Sequence, residues 1–234
     1  MRLVAGAPAE DGALRAGVEI KLAPGWKTYW INPGPTGIPP RLDFTASENV
    51  ASAVPLWPAP VRFTDGSSHA IGYAGRFIVP LRIEPKEAGR PVRLNAVLDY
   101  GLCENICVPA RAELALTLDP DAEADAFTAL EIAGFAARVP RTEKLGSDEK
   151  LAITALARTD KGLGVSVRFP DDANVTDLFA STPDGAMNIP RKTGPGTYRI
   201  DLGPQAPARF DLVAVADGAA IRVPVTLDLG GPTP

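Results

Sequence analysis

Apolar and polar residues alternate through most of this chain in short runs, each broken by proline or glycine, a pattern that predicts half-buried strands. Arg15 to Leu22 sets the pattern, with Val18, Ile20 and Leu22 on one face and Glu19 and Lys21 on the other. Pro24-Gly25 turns the chain into a short aromatic strand, Trp26 to Trp30. Asn32 to Pro40 is too rich in Pro and Gly for a regular element and reads as an ordered loop. Further strands are expected at Arg41–Phe44, near Ala53–Trp57, at Arg76–Ile83 and at Val92–Tyr100. The last two are long and apolar, as central strands of a sandwich are. Between the second and third, Phe63 to Gly75 is polar and glycine-bearing and reads as a flexible loop. Arg111 to Leu118 alternates again, with Ala112, Leu114, Leu116 and Leu118 on one face.

The period then changes. Asp119-Pro120 reads as a helix N-cap followed by proline at the first helical position. Asp121 to Arg138 carries Phe127, Leu130, Gly134 and Ala137 at helical spacing, predicting one helix that packs on that stripe. Charged, glycine-bearing residues from Arg141 to Lys150 follow. Strand patterns resume at Leu151–Ala157, Leu163–Phe169, Thr197–Leu202, Ala208–Val215 and Ala220–Leu227, with turns at Asp160-Lys161-Gly162 and Asp217-Gly218. The expectation is an all-β protein of two sandwich domains, residues 1–119 and 148–234, joined by a helix-containing linker, 120–147.

Composition supports that reading and removes several functions. Twenty-four prolines and 22 glycines in 234 residues suit many short strands, and 45% hydrophobic residues suffice for packed cores. The net charge of −4 comes without a basic run, so no nucleic-acid surface is expected. No apolar run approaches the ~18 residues of a membrane span. Met1-Arg2-Leu3-Val4 lacks the apolar segment of an export signal. Acidic groups such as Asp171-Asp172 and Asp121/Glu123/Asp125 lack a full calcium-ligand pattern and read as solvated clusters.

Both cysteines lie in the first half, and three residues separate them. A structural zinc site takes four ligands, whereas two cysteines and one histidine, His69, are present. Haem attachment needs another spacing and a following histidine. No metal and no cofactor are therefore expected. On one extended strand Cys103 and Cys107 would stand roughly 13 Å apart, while a disulfide needs Cα atoms about 4.4–6.8 Å apart. A bridge thus requires a hairpin with Glu104-Asn105-Ile106 as its loop, and Pro109 fits a position where the sheet needs no N–H. A loop so short gives the bridge only about 2 kcal/mol of stapling value, which favours redox use. Glu104 beside Cys103 disfavours its thiolate unless a cation offsets it. Two other readings stay open: a protein-binding sandwich with an inert clip, and two thiolates holding Cu(I).

The run Tyr100-Gly101-Leu102-Cys103-Glu104-Asn105-Ile106-Cys107-Val108-Pro109-Ala110, preceded by Gly25-Trp26-Lys27-Thr28-Tyr29-Trp30-Ile31-Asn32-Pro33-Gly34, resembles the N-terminal periplasmic domain of DsbD-like and ScsB-like disulfide reductases. Trp57 to Phe63, Gly72-Tyr73 and Val79-Pro80 extend the likeness over Arg2 to Leu118. The resemblance implies an immunoglobulin-like, periplasmic domain that takes electrons from a membrane-embedded dithiol module. It would pass them to periplasmic thioredoxin-like proteins, and ScsB-type relatives are associated with copper tolerance. It also implies a cap loop over the cysteines, falling here within Asp65 to Ala70, with His69, Ile71 or Tyr73 as shielding residues. Tyr29 and Tyr100 would line the dithiol site. Two features depart from the DsbD pattern: the cysteines are closer together, and its aromatic cap residue has no counterpart. The membrane and thioredoxin-like modules are also absent, as in an excised domain or a stand-alone relative. The second half resembles the further β domain of ScsB-type proteins in general pattern only.

Overall fold

The computed structural model describes residues 1–34, 37–65, 68–182, 187–203 and 206–227. Ten strands and one helix fill the first part of the chain: β1 (Arg2–Ala5), β2 (Leu14–Lys21), β3 (Lys27–Tyr29), β4 (Arg41–Asp43), β5 (Val50–Pro55), β6 (Val61–Asp65), β7 (Ser68–Ala74), β8 (Arg76–Pro85), β9 (Val92–Cys103), β10 (Cys107–Leu118) and α1 (Ala126–Ala136). One sheet has the order β1-β2-β8-β5. The other runs β10-β9-β3-β7-β6, with β4 also pairing with β9. The second part holds β11 (Arg141–Thr142), β12 (Ala152–Thr159), β13 (Gly162–Arg168), β14 (Thr176–Ser181), β15 (Arg191–Gly194), β16 (Thr197–Asp201), β17 (Arg209–Ala216) and β18 (Ala219–Thr226). Its sheets have the orders β11-β18-β17-β14 and β12-β13-β16-β15. The chain is therefore two immunoglobulin-like β-sandwiches with one short helix, the fold class expected from the sequence.

Packing groups the residues into two units. One comprises Met1–Trp30, Ile38–Pro60 and Gly72–Val139; the other comprises Ile31–Gly37, Val61–Ile71 and Pro140–Pro234. In the first, Val18 and Ile20 of β2, Val79, Leu81 and Ile83 of β8, and Leu94 and Leu98 of β9 are buried. Their period of two sends these apolar side chains into the sandwich. In the second, Ile153, Leu163, Leu178, Ile200, Leu212 and Ile221 form the corresponding core.

Two expectations are corrected. The described residues of Phe63 to Gly75 are no flexible loop: they contain the end of β6 and all of β7, with Ile71 and Tyr73 buried. Polar composition hid a strand whose Gly72 lets the backbone of β3 come close. A Cβ there would sit 1.9 Å from the Thr28 carbonyl oxygen. The helix begins at Ala126, not Asp121, because Asp125 is the cap and accepts from the Thr128 N–H at 2.8 Å. Asp119 instead accepts from the Asp121 N–H within a turn.

The packing face of α1 also differs from the expected stripe. Phe127 and Leu130 are 69% and 72% exposed, while Ile132 is buried against Val4 and Ile78, with Phe135 beside it. Apolar residues surround the helix, so their period marks no single face. Ile78 points away from the sandwich core, and α1 covers that outer face of β8 as part of the first unit. Arg76 fastens the cover by donating to both oxygens of Glu131, at 2.5 and 2.7 Å, and to Glu19 at 2.5 Å. Arg2 also donates to Glu19, and its hydrogen bond is the main cause holding the Glu19 carboxyl below its usual range.

Gly134 stands exposed in mid-helix with open space where a Cβ would go. Gly134→Ala is expected to stabilise the protein by about 0.5–1 kcal/mol through helix propensity. Urea unfolding checks this, and a lowered midpoint would contradict the assigned face.

Candidate functional site

The site is the far end of the longest hairpin. Strands β9 and β10 pair without a bulge from Val92↔Leu118 to Cys103↔Cys107. The sulfurs are bonded, at 2.05 Å, with Cα atoms 4.1 Å apart. The expected hairpin is therefore the one formed, with Glu104-Asn105-Ile106 as its exposed loop. Cys103 is half-buried and Cys107 exposed. Beside them Ile106 is 76% and Val108 42% exposed, so apolar side chains lie open at the hairpin tip.

Alternation sorts the neighbours of the bridge. Rungs Cys103↔Cys107 and Gly101↔Pro109 share a face, because strand residues two apart point the same way. Strand β3 lies on the other side of β9, with Lys27 opposite Cys103 and Thr28 opposite Leu102. Tyr29 therefore belongs to the face of Cys103, and its ring lies over Gly101. A Cβ at Gly101 would be 2.7 Å from two ring carbons of Tyr29 and 2.8 Å from Ile38. The Thr28 hydroxyl donates to the Gly101 carbonyl at 2.7 Å and fixes β3 to β9 at this level. So placed, the buried Tyr29 donates its hydroxyl hydrogen to Cys107 Sγ at 2.9 Å. Burial raises the Tyr29 pKa above the ordinary tyrosine value, so the phenol remains a donor through neutral pH.

The other candidates separate. Glu104 is exposed, and its carboxylate reaches back toward the Gly25 turn, where a Cβ would meet Oε1 at 3.0 Å. Pro109 occupies edge strand β10, opposite Gly101, where a missing N–H costs no ladder bond. Tyr100 is half-buried on the face opposite Cys103 and helps line an open groove of about 580 Å³ with Arg41, Pro109 and Arg111. Tyr73 is a core residue: its hydroxyl donates to the Pro58 carbonyl at 2.7 Å and its ring stacks 4.3 Å from Phe77. Its rung, Tyr73↔Thr28, is one step off that of Cys103, which turns it to the other face. His69 is exposed in β7 and groups with the second unit. The Asp65 side chain lies outside the described residues.

Lys27 was not singled out from the sequence, yet its Cβ lies directly across from that of Cys103, a spacing of about 5 Å in such pairs. Its place follows from the β3–β9 register, which alternation within one strand cannot reveal. Among the described residues, no group of three or more His, Cys, Asp and Glu side chains converges as a metal site. No helix there is long and apolar enough to cross a membrane.

Gly101→Ala is expected to push Tyr29 and Ile38 aside and cost about 1–3 kcal/mol, as overpacking does. An unchanged urea midpoint would show that the ring does not rest on Gly101.

Comparison with known proteins agrees with this geometry. The family model of the N-terminal part of the thiol:disulfide interchange protein DsbD matches residues 2–119. The crystal structure of the N-terminal periplasmic domain of ScsB from Proteus mirabilis aligns with a TM-score of 0.71 at 26% identity, covering 97% of this chain and 92% of that one. The periplasmic chaperone SfaE aligns at 10% identity over 96% of this chain and 98% of its own, but its TM-score of 0.23 carries no argument. No curated protein matches by sequence. With half of its length matched and a bonded cysteine pair at the hairpin tip, the chain belongs to the family of DsbD N-terminal thiol:disulfide interchange domains.

Proposed function

We propose that this is a periplasmic dithiol relay, reduced by a membrane-embedded dithiol donor and oxidised by thioredoxin-like proteins. The observation that carries the proposal is the Cys103–Cys107 bridge at an exposed tip, with a buried phenol hydrogen-bonded to the sulfur of the more exposed cysteine, Cys107. A bridge so placed closes only a five-residue ring of chain and does little stapling, while a partner's active site can reach it.

The chemistry follows from access. A donor thiolate attacks Cys107 Sγ, the S–S bond breaks, and Cys103 leaves as a thiolate that takes a proton. The donor's second thiolate then attacks its own sulfur in the mixed disulfide, and Cys107 leaves as a thiolate. The donor is oxidised to its disulfide, and this domain gains two electrons and one proton, a second proton being taken up when the Cys107 thiolate is protonated. In the forward step Cys107 thiolate attacks a partner disulfide, and Cys103 resolves the mixed disulfide to regenerate the bridge. The Tyr29 hydroxyl stabilises the Cys107 thiolate in both directions, and Lys27 offsets Glu104 beside Cys103. Ile106 and Val108 supply the apolar contact on which a thioredoxin-like surface settles.

Cys103→Ser leaves the exposed thiol without its resolving partner. It is expected to accumulate a mixed disulfide with a thioredoxin-fold protein whose resolving cysteine is removed and whose remaining cysteine carries a thionitrobenzoate, which the Cys107 thiolate displaces, whereas Cys107→Ser accumulates far less. No adduct from either variant would mark the bridge as an inert clip. Tyr29→Phe is expected to raise the Cys107 thiol pKa by about one unit, since a hydrogen bond to a charged group is lost. The pH profile of thiolate absorbance reads the shift, and an unmoved profile would remove Tyr29 from the mechanism.

A further inference from the structure

The sheet face that carries the bridge continues into a groove. Going down β9 and β10 from the tip, the rungs on this face are Cys103↔Cys107, Gly101↔Pro109 and Asp99↔Arg111. Arg41 of β4 extends the third rung on the far side of Asp99. All point the same way, because directly paired residues share a face and each rung is two residues from the last. The open groove of about 580 Å³ is lined from the second and third of these rungs, by Pro109, Asp99, Arg111 and Arg41, together with Ile38 and Pro39. It thus begins one rung from the sulfurs, and all of these residues belong to one packing unit.

The charges along this face are unequally engaged. Arg111 lies 3.1 Å from the Asp99 carboxylate and 3.7 Å from that of Glu113. Asp43, two residues beyond Arg41 on β4, accepts from the Thr45 N–H at 2.8 Å. Glu104, at the tip, reaches back toward the Gly25 turn. Arg41 is exposed and stands opposite Asp99, yet it makes no ion pair among the described residues. The groove therefore ends at an unclaimed guanidinium, at a rung roughly 13 Å along the strands from the bridge. Ile38, Pro39 and Pro109 give it an apolar approach.

We propose that this groove seats an extended segment beside the reactive cysteine of a thioredoxin-like partner, and that Arg41 selects partners with a carboxylate four residues from that cysteine. An extended segment covers the same roughly 13 Å in four residues, and residues four apart on it share a face. Sulfur and carboxylate then both point into the site. The planar fork of an arginine matches a carboxylate with two parallel hydrogen bonds. The proposal rests on the thiol–disulfide exchange reading and names the chemistry by which one partner is told from another.

The test uses the full chain carrying Cys103→Ser, so that one thiol reacts. The probes are Gly/Ser peptides with one central cysteine, held as its mixed disulfide with 2-thiopyridine, and with Glu or Gln four positions to either side. The Cys107 thiolate attacks the peptide sulfur, the bond to the thiopyridine breaks, and pyridine-2-thione leaves and takes up a proton. Its absorbance gives the rate. The Glu peptide is expected to react about three- to fivefold faster than the Gln peptide at low salt, the upper range for an exposed ion pair. The ratio should fall toward one in high salt, which screens exposed charges. Arg41→Gln should bring it near one, and Arg41→Glu should favour the Gln peptide. Glu two positions from the cysteine, level with Pro109, should react no faster than Gln there, and this comparison decides the matter if Arg41→Gln does not fold. Equal rates for the two peptides, or a preference that survives Arg41→Gln, overturn the proposal and leave the exchange reading standing. Equal acceleration by Glu at either spacing means unspecific attraction of acidic thiols and also overturns it. If no peptide releases pyridine-2-thione, the exchange reading falls as well.

Discussion

The unbroken register between β9 and β10 is the constraint on which this site depends. It runs from Val92↔Leu118 to Cys103↔Cys107, and its buried inner rungs, such as those of Leu94 and Leu98, hold it in place. A slip of one residue would turn Leu94 and Leu98 to the outer face, so the core enforces the pairing that aligns the sulfurs. The disulfide is thus a consequence of the hairpin more than its cause. That suits a bridge which must open and close without unfolding the domain.

The surroundings of the bridge divide into what holds it and what tunes it. Gly101 and Gly72 remove side chains where Tyr29 and the β3 backbone must come close. The phenol then reaches Cys107 from a buried position, so its hydrogen bond is little weakened by water. Lys27 and Glu104 place opposite charges near Cys103. Ile106 and Val108 are exposed beside it at the hairpin tip.

Much of this was legible in the sequence. Alternation marked β2 and β10, a long apolar run marked β9, and the spacing of the cysteines, four positions apart, required a reversal between them for a bridge. What stayed hidden has physical causes. β7 lay in a polar, glycine-bearing stretch, where Gly72 answered to the neighbouring strand and not to chain flexibility. The helix is apolar around its circumference, so the choice of Ile132 over Phe127 and Leu130 was made by Val4, Ile78 and the Arg76–Glu131 pair. Tyr73, placed near the cysteines by resemblance, turned to the other face because its rung is one step away. The place of Lys27 is a product of long-range register, to which a pattern within one segment is blind.

The central claim is that the Cys103–Cys107 pair exchanges electrons with thioredoxin-like dithiols. Its most direct test is the equilibrium of the purified domain with thioredoxin in known ratios of oxidised to reduced forms. The fraction of bridged protein is read by mass after thiol alkylation. The account predicts a reduction potential above about −300 mV, within the range where such dithiols trade electrons. A bridge that stays fully oxidised against reduced thioredoxin, with a potential below that value, would contradict it.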